Sequence, residues 1–263
     1  RGRARRTLGA MPEGDTIHHA AHRIRPVLEG VVPDAIETPH PRLRGSGWPE
    51  RLAGRAVTGV DARGKHLFLR FEGDLVIHSH LRMTGAWGTY AEGRRWGRSP
   101  RRAWLVLRAR DHAVVQFDGP VLELLTAARA RGDQRIAALG PDILGPGLDE
   151  DEVLRRMRHD DPTRPIGDAL LDQRTVAGIG NLWKCEGCWD AAVDPWPRYV
   201  LLTTDVPKKG SAGHKALEAA QTDGLIWDVL RLDEPETVAE LLHYASGKRS
   251  TVDHRRGSIT ASA

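Results

Sequence analysis

From residue 31 to about 125 the sequence runs in short β-rich segments cut by Gly, Pro and Asp. The clearest are KHLFLRF (65–71), DLVIHSH (74–80), AWLVLRA (103–109) and AVVQFD (113–118), with turns at Glu72–Gly73 and Asp111. Several short strands at this spacing, with one helix ahead of them, argue for an antiparallel sandwich or barrel. That helix is read over Asp15–Glu29. Ile17, Ala20, Ala21, Ile24, Val27 and Leu28 recur at helical spacing, and Gly30 offers a stop.

The texture changes again after the strands. Residues 127–145 read as a linker ending in GPDILGPG. From about 149 the pattern is helical: DEDEVLRRM puts acids first and arginines later, in line with the helix dipole, and PIGDALLDQ opens on Pro165. A glycine turn, VAGIGN, leads to a further helix in LWKCEGCWDAA. Helical signal returns at 214–232 and 234–246, and 247–263 reads as a polar tail. The expected class is α+β: an N-terminal helix with an antiparallel β-sandwich over 11–126, then a helical domain over 127–230. Residues 231–263 are expected to form a divergent or truncated C-terminal region.

Composition excludes more than it selects. No stretch approaches the ~18–20 apolar residues of a membrane span, and no apolar signal region opens the chain. Two cysteines cannot build a disulfide framework. A soluble, cytoplasmic-type protein is expected. The net charge of +4 is carried by Arg1, Arg3, Arg5 and Arg6; from Met11 onward 35 basic residues balance 35 acidic ones. Nucleic-acid binding must therefore rest on local clusters. The 1–10 segment is read as an extension outside the native fold.

Four places could carry chemistry. If translation starts at Met11 and the methionine is removed, Pro12 becomes a secondary amine, and an α-amine has a pKa near ~8 against ~10.4 for lysine. Such a nitrogen can attack a sugar C1′ and form an iminium without further proton loss, and Glu13 could shuttle protons beside it. The bland alternative is that Pro12 and Glu13 merely open a helix. Lys65 is the only lysine in the first 183 positions of a chain with 33 Arg and 6 Lys. A compact ammonium that can lose its proton does what a guanidinium cannot, although a strand-edge lysine is also an ordinary solvated charge.

The turn around Gly178 and Gly180 frees backbone N–H groups at a helix start, which suits a phosphate, and Asn181 adds a side-chain donor. It could equally be a plain tight turn. The loop GRRWGRSPRR (93–102) could grip backbone phosphate or simply be solvated. Cys185 and Cys188 have the spacing of half a zinc site but no further cysteine to complete it, and read as small core residues of a helix. His78 and His80 share a strand face without a third partner and read as structural.

Together, MPEGDTIH (11–18), RGKHLF (63–68), IHSHLRMTGAW (77–87), LGPDIL (139–144) and ALLDQRTVAGIGNLW (169–183) resemble the formamidopyrimidine-glycosylase/endonuclease VIII family of DNA glycosylases. The opening resembles the endonuclease VIII branch, and the last block its helix–two-turn–helix signature. The resemblance runs over 11–196. It implies Pro12 as Schiff-base nucleophile, Glu13 as acid/base, and Lys65 as the lysine that contacts DNA and supports catalysis. It further implies Met83, with Arg82 beside it, as the wedge filling the gap left by a flipped nucleotide, and Asn181 with Gly178 and Gly180 as phosphate contacts.

The implied activity is that of a bifunctional glycosylase/AP lyase. It would remove oxidised bases, pyrimidines foremost, from duplex DNA and cleave the strand by β- or β,δ-elimination, acting as a monomer on nucleoid DNA. A non-catalytic binder of lesions or abasic sites is the alternative. The family's four-cysteine zinc finger is missing, since no cysteine follows Cys188; no metal or other cofactor is expected.

Overall fold

The structure is a computed structural model that describes residues 13–160 and 164–191, together with 193 and 195. Pro12, the 1–10 segment and everything from residue 196 onward, including the expected helices and polar tail, lie outside the described residues.

Helix α1 (Gly14–Leu28) buries all six apolar residues that define its periodicity. It lies against a sandwich of two four-stranded sheets. One runs β1 (Ala35–Glu37), β6 (Ala103–Ala109), β7 (His112–Phe117), β5 (Ala86–Ala91); the other runs β2 (Val57–Arg63), β3 (His66–Phe71), β4 (Leu75–His80), β8 (Val121–Thr126). Every strand pair is antiparallel. A short helix, α2 (Trp48–Leu52), precedes β2. Leu67, Leu69 and Ile77 from one sheet meet Leu105, Leu107 and Val114 from the other, with Ile17, Ile24 and Leu28 closing the core. Each such side chain contributes about 1.5–3 kcal/mol when fully buried.

The expected linker at 127–145 is instead structured. Thr126 caps α3 (Ala127–Gly132) by accepting from the Arg129 N–H, and Asp133 caps α4 (Gln134–Ala137) by accepting from the Arg135 N–H. Ile136 then buries against Phe68 and Val76 on the outer face of the second sheet. Caps and one apolar anchor outweigh the Gly/Pro-rich composition that follows.

The helical part comprises α5 (Glu150–Asp160), α6 (Ile166–Leu171) and α7 (Asn181–Asp190). Its own core holds Ile143, Val153, Met157, Leu170, Val176, Ile179 and Cys188. The α6–α7 turn is stitched by Gln173, whose Nε2 donates to the Leu171 and Ile179 carbonyls at 2.9 Å each, while its Oε1 accepts from the Gly178 N–H at 3.0 Å. Gly178 sits at φ 109°, a conformation side-chain-bearing residues rarely adopt.

Candidate active site

The two parts meet at the first described residue. Glu13 is 2% exposed, and its carboxylate sits on the N-terminus of α7. Oε2 accepts from the Gly180 N–H at 3.0 Å and the Trp183 N–H at 3.3 Å, and Oε1 accepts from the Leu182 N–H at 2.8 Å. These are donors a helix start leaves unpaired, aligned with the positive end of its dipole. The anion expected at this turn is thus supplied by the protein itself. The Gly180 amide is spent on Glu13 and the Gly178 amide on Gln173, so the glycines shape the turn without offering those N–H groups to phosphate.

Asn181 opens α7 and is exposed; its Oδ1 accepts from Lys184 Nζ at 3.3 Å. That contact engages its amide oxygen and not its amide nitrogen.

Lys65 stands in the turn between β2 and β3, one residue before the strand expected to contain it. Burial pushes its pKa down, and the charge of Glu13 partly opposes the shift. The two groups are electrostatic neighbours, one at the start of α1 and the other in the β2–β3 turn. Between them Asp142 acts as a buckle. Its Oδ2 accepts from the Gly64 N–H at 2.8 Å and lies 2.9 Å from His18 Nε2, and its Oδ1 accepts from the Leu144 N–H at 3.0 Å. Burial raises the Asp142 pKa, but the bonds from His18, Gly64 and Leu144 prevail and hold it below the ordinary carboxylate range. One carboxylate therefore ties α1, the Lys65 turn and the 139–145 segment together. A pairing between positions so far apart in sequence leaves no local signal.

Met83 is 66% exposed at the tip of the turn between β4 and β5. Arg82 holds a left-handed φ of 49°, and its N–H donates to His80 Nδ1 at 3.0 Å. His80 is pushed down to about 4 by burial and by the positive charges of Arg82 and Lys65, so its ring stays neutral and can accept that bond. Lys65 and Arg82 thus flank one imidazole.

The histidine pair does have a third partner. Pairing of β3 with β4 sets His66 opposite His80. His66 Nδ1 lies 2.8 Å from His78 Nε2, and His78 Nδ1 lies 3.1 Å from Glu123 Oε2. A carboxylate only accepts, so His78 donates to Glu123 through Nδ1 and receives the His66 N–H on Nε2. The signal was the HxF of β3 facing the HxH of β4, visible only once register is known.

The expected core pair Cys185/Cys188 divides: Cys188 is buried and Cys185 exposed. Helix α7 buries Lys184, Gly187 and Cys188, and Cys185 is rotated about 100° beyond that face. A cleft of about 610 Å³, lined by Arg63, Arg70, Phe68, Ile136 and Asp142, contains neither Glu13 nor Lys65. Among the described residues no helix is long and apolar enough to cross a membrane.

Residues 11–132 match the family described as the formamidopyrimidine-DNA glycosylase N-terminal domain. The chain is 43% identical over 187 residues to a probable endonuclease 8 2 of Streptomyces coelicolor, covering 71% of this chain and 65% of that protein. The match thus spans a little under two thirds of that relative's length. It is 38% identical over 187 residues to endonuclease 8 2 of Mycobacterium bovis, covering 70% of each. Among solved structures, the Lactococcus lactis Fpg in complex with DNA containing an abasic site shares the fold at a TM-score of 0.63 and 19% identity, over 89% of this chain and 76% of that one.

Proposed function

The chain belongs to the formamidopyrimidine-DNA glycosylase/endonuclease 8 family, and from that premise we propose that it is a bifunctional DNA glycosylase/AP lyase acting as a monomer on damaged duplex DNA. The observation that carries the reading is the placement of Glu13. Its carboxylate is fixed under α7, one peptide from Pro12 and in electrostatic contact with Lys65.

The Pro12 nitrogen, freed as an α-amine, attacks C1′ of the damaged nucleotide. The C1′–N bond to the base breaks and the base leaves with a proton. Glu13 exchanges a proton with the sugar ring oxygen as the ring opens, leaving an iminium between Pro12 and C1′. Loss of a C2′ proton then expels the 3′ phosphate by β-elimination; a second elimination expels the 5′ phosphate, and water releases the protein. Lys65, its ammonium destabilised by burial, contacts the backbone and takes part in these proton transfers. Met83 fills the gap left by the flipped nucleotide, and Asn181 donates to phosphate. Oxidised pyrimidines are the proposed substrates, because the opening MPEGDTIH resembles the endonuclease VIII branch.

The family's zinc finger does not fit this chain. Its two cysteines both lie on α7, one of them inside the helical core, and no cysteine follows Cys188. No step above passes through a metal, and none is proposed as resident.

Borohydride trapping tests the reading. A chain beginning at Pro12 should form a covalent adduct with abasic duplex DNA. Pro12→Gly should weaken it severely, and a chain that keeps residues 1–11 should not form it, because its Pro12 nitrogen is an amide. Tight binding to abasic DNA without any adduct would leave a lesion binder in place of an enzyme.

A further inference from the structure

The turn that carries Met83 is braced from outside itself. Its ends are closed by the Gly85 N–H donating to the Leu81 carbonyl at 2.8 Å, and Arg82 is tied to His80. The Thr84 carbonyl, directly after Met83, accepts from Arg98 Nη1 at 2.6 Å. The same nitrogen donates to Asp118 Oδ2 at 2.7 Å, and Asp118 Oδ1 accepts from Arg102 Nε at 2.8 Å. Asp118 closes the ring by donating its own N–H to the Arg102 carbonyl at 2.9 Å.

The loop that supplies Arg98 is equally fixed. Trp96 packs on Tyr90 and edge-on against Phe117, at centroid distances of 6.3 and 5.8 Å, and the Gly97 N–H donates to the Tyr90 hydroxyl at 3.1 Å. Around these anchors Arg94, Arg95 and Arg101 are exposed, and their guanidinium groups pair with nothing among the described residues. The arrangement joins an unneutralised basic arm to an exposed apolar tip through one guanidinium.

We propose that Arg98 is a positioning residue that locks the Met83 turn and couples it to phosphate binding by the 93–102 loop. An apolar side chain driven into a base stack must push against backbone that cannot recoil. A carbonyl held by a charge-assisted hydrogen bond, from a guanidinium itself held by a carboxylate, provides that backing. Phosphates gripped by Arg94, Arg95 and Arg101 then load the same rigid piece. The proposal deepens the glycosylase reading and rests on it for the role of Met83.

Four measurements on the chain with Pro12 exposed test it: excision of an oxidised pyrimidine, cleavage of a preformed abasic site, fluorescence of 2-aminopurine beside the lesion on binding, and the salt dependence of that binding. Arg98→Met should slow excision by about tenfold or more while abasic cleavage changes by less than about twofold. The fluorescence rise should shrink in parallel with excision. Arg98→Lys, which keeps a donor, should recover part of the loss, and Asp118→Asn should fall between. Arg94, Arg95 and Arg101 replaced together by Gln should lower the salt slope of binding by about 3 and reduce the fluorescence rise.

Equal losses on both substrates, or no loss in Arg98→Met, would overturn the positioning role; an unchanged salt slope would overturn the coupling. If the unsubstituted chain traps no abasic DNA, the enzyme reading fails. The fluorescence comparison then still decides for or against Arg98, because wedge insertion needs no chemistry.

Discussion

The Gly14 N–H donates to the Gly178 carbonyl at 2.9 Å, and a Cβ on Gly14 would come within 2.8 Å of the Gly178 Cα. The residue after Glu13 and the turn before α7 touch backbone to backbone, with no room for a side chain. Gly14→Ala should cost about 1–3 kcal/mol by overpacking. It should also draw Glu13 away from its three amide donors. Urea unfolding reads the first effect and borohydride trapping the second; a variant that is destabilised but traps at the normal rate would show that Glu13 does not need this seat.

Arginine should not substitute for Lys65. A guanidinium keeps its charge when desolvated, whereas burial already pushes the Lys65 ammonium toward losing its proton. Lys65→Arg should bind abasic DNA within a few-fold of the parent yet lose roughly 100-fold in excision. Retained excision would reduce Lys65 to a phosphate contact.

The histidines of β3 and β4 set an acid limit on the fold. Burial and neighbouring positive charge push His66 down to about 3 and His80 to about 4, and His78 is lowered too, with Glu123 in opposition. The unfolded chain takes up these protons near pH ~6.5, before the folded one does, so stability falls as pH drops from ~6.5 toward 4. The slope is about 1.4 kcal/mol per pH unit for each proton. His66→Phe should flatten it in urea titrations between pH 7 and 4; an unchanged slope would place the protons elsewhere.

Asp142 acts in a lower window. Its folded pKa lies below the unfolded value, so its contribution is complete above pH ~4 and is lost as pH falls through the folded pKa. Asp142→Asn should cost roughly 1–3 kcal/mol at pH 7, since an amide cannot accept all three bonds, and the gap from the parent should close below about pH 4. A gap that stays undiminished however far the pH falls below ~4 would mean that shape, not charge, holds the buckle.

The purified chain should carry no stoichiometric zinc. Elemental analysis giving about one zinc per chain would require ligands beyond the two cysteines of α7.

What the sequence revealed depended on whether the signal was local. Helix α1 announced itself because six apolar residues at helical spacing need no partner to be recognised. Strands β3, β4, β6 and β7 stood out as dense β-forming runs. By contrast β5, AWGTYA, is half-exposed along its length and contains Gly88, so it shows no alternation. In β8, VLELLT leads straight into AARARG, and only its pairing with β4 makes it a strand. Glu13 and Lys65 were legible through motif and composition. His18, Gly64 and Asp142, and the His66–His78–Glu123 chain, were not, because each joins residues that the chain separates widely and the fold alone brings together.

Glu13 belongs to the sandwich by sequence and to α7 by contact. The candidate site is therefore not a possession of either half. A β-sandwich severed after Thr126 would keep Pro12, Glu13 and Lys65 and still have no seat for the carboxylate. Exchanging the helical part for a foreign one would remove the amides that seat Glu13. A change in the α6–α7 turn, far along the chain from Glu13, should therefore unsettle the carboxylate it seats.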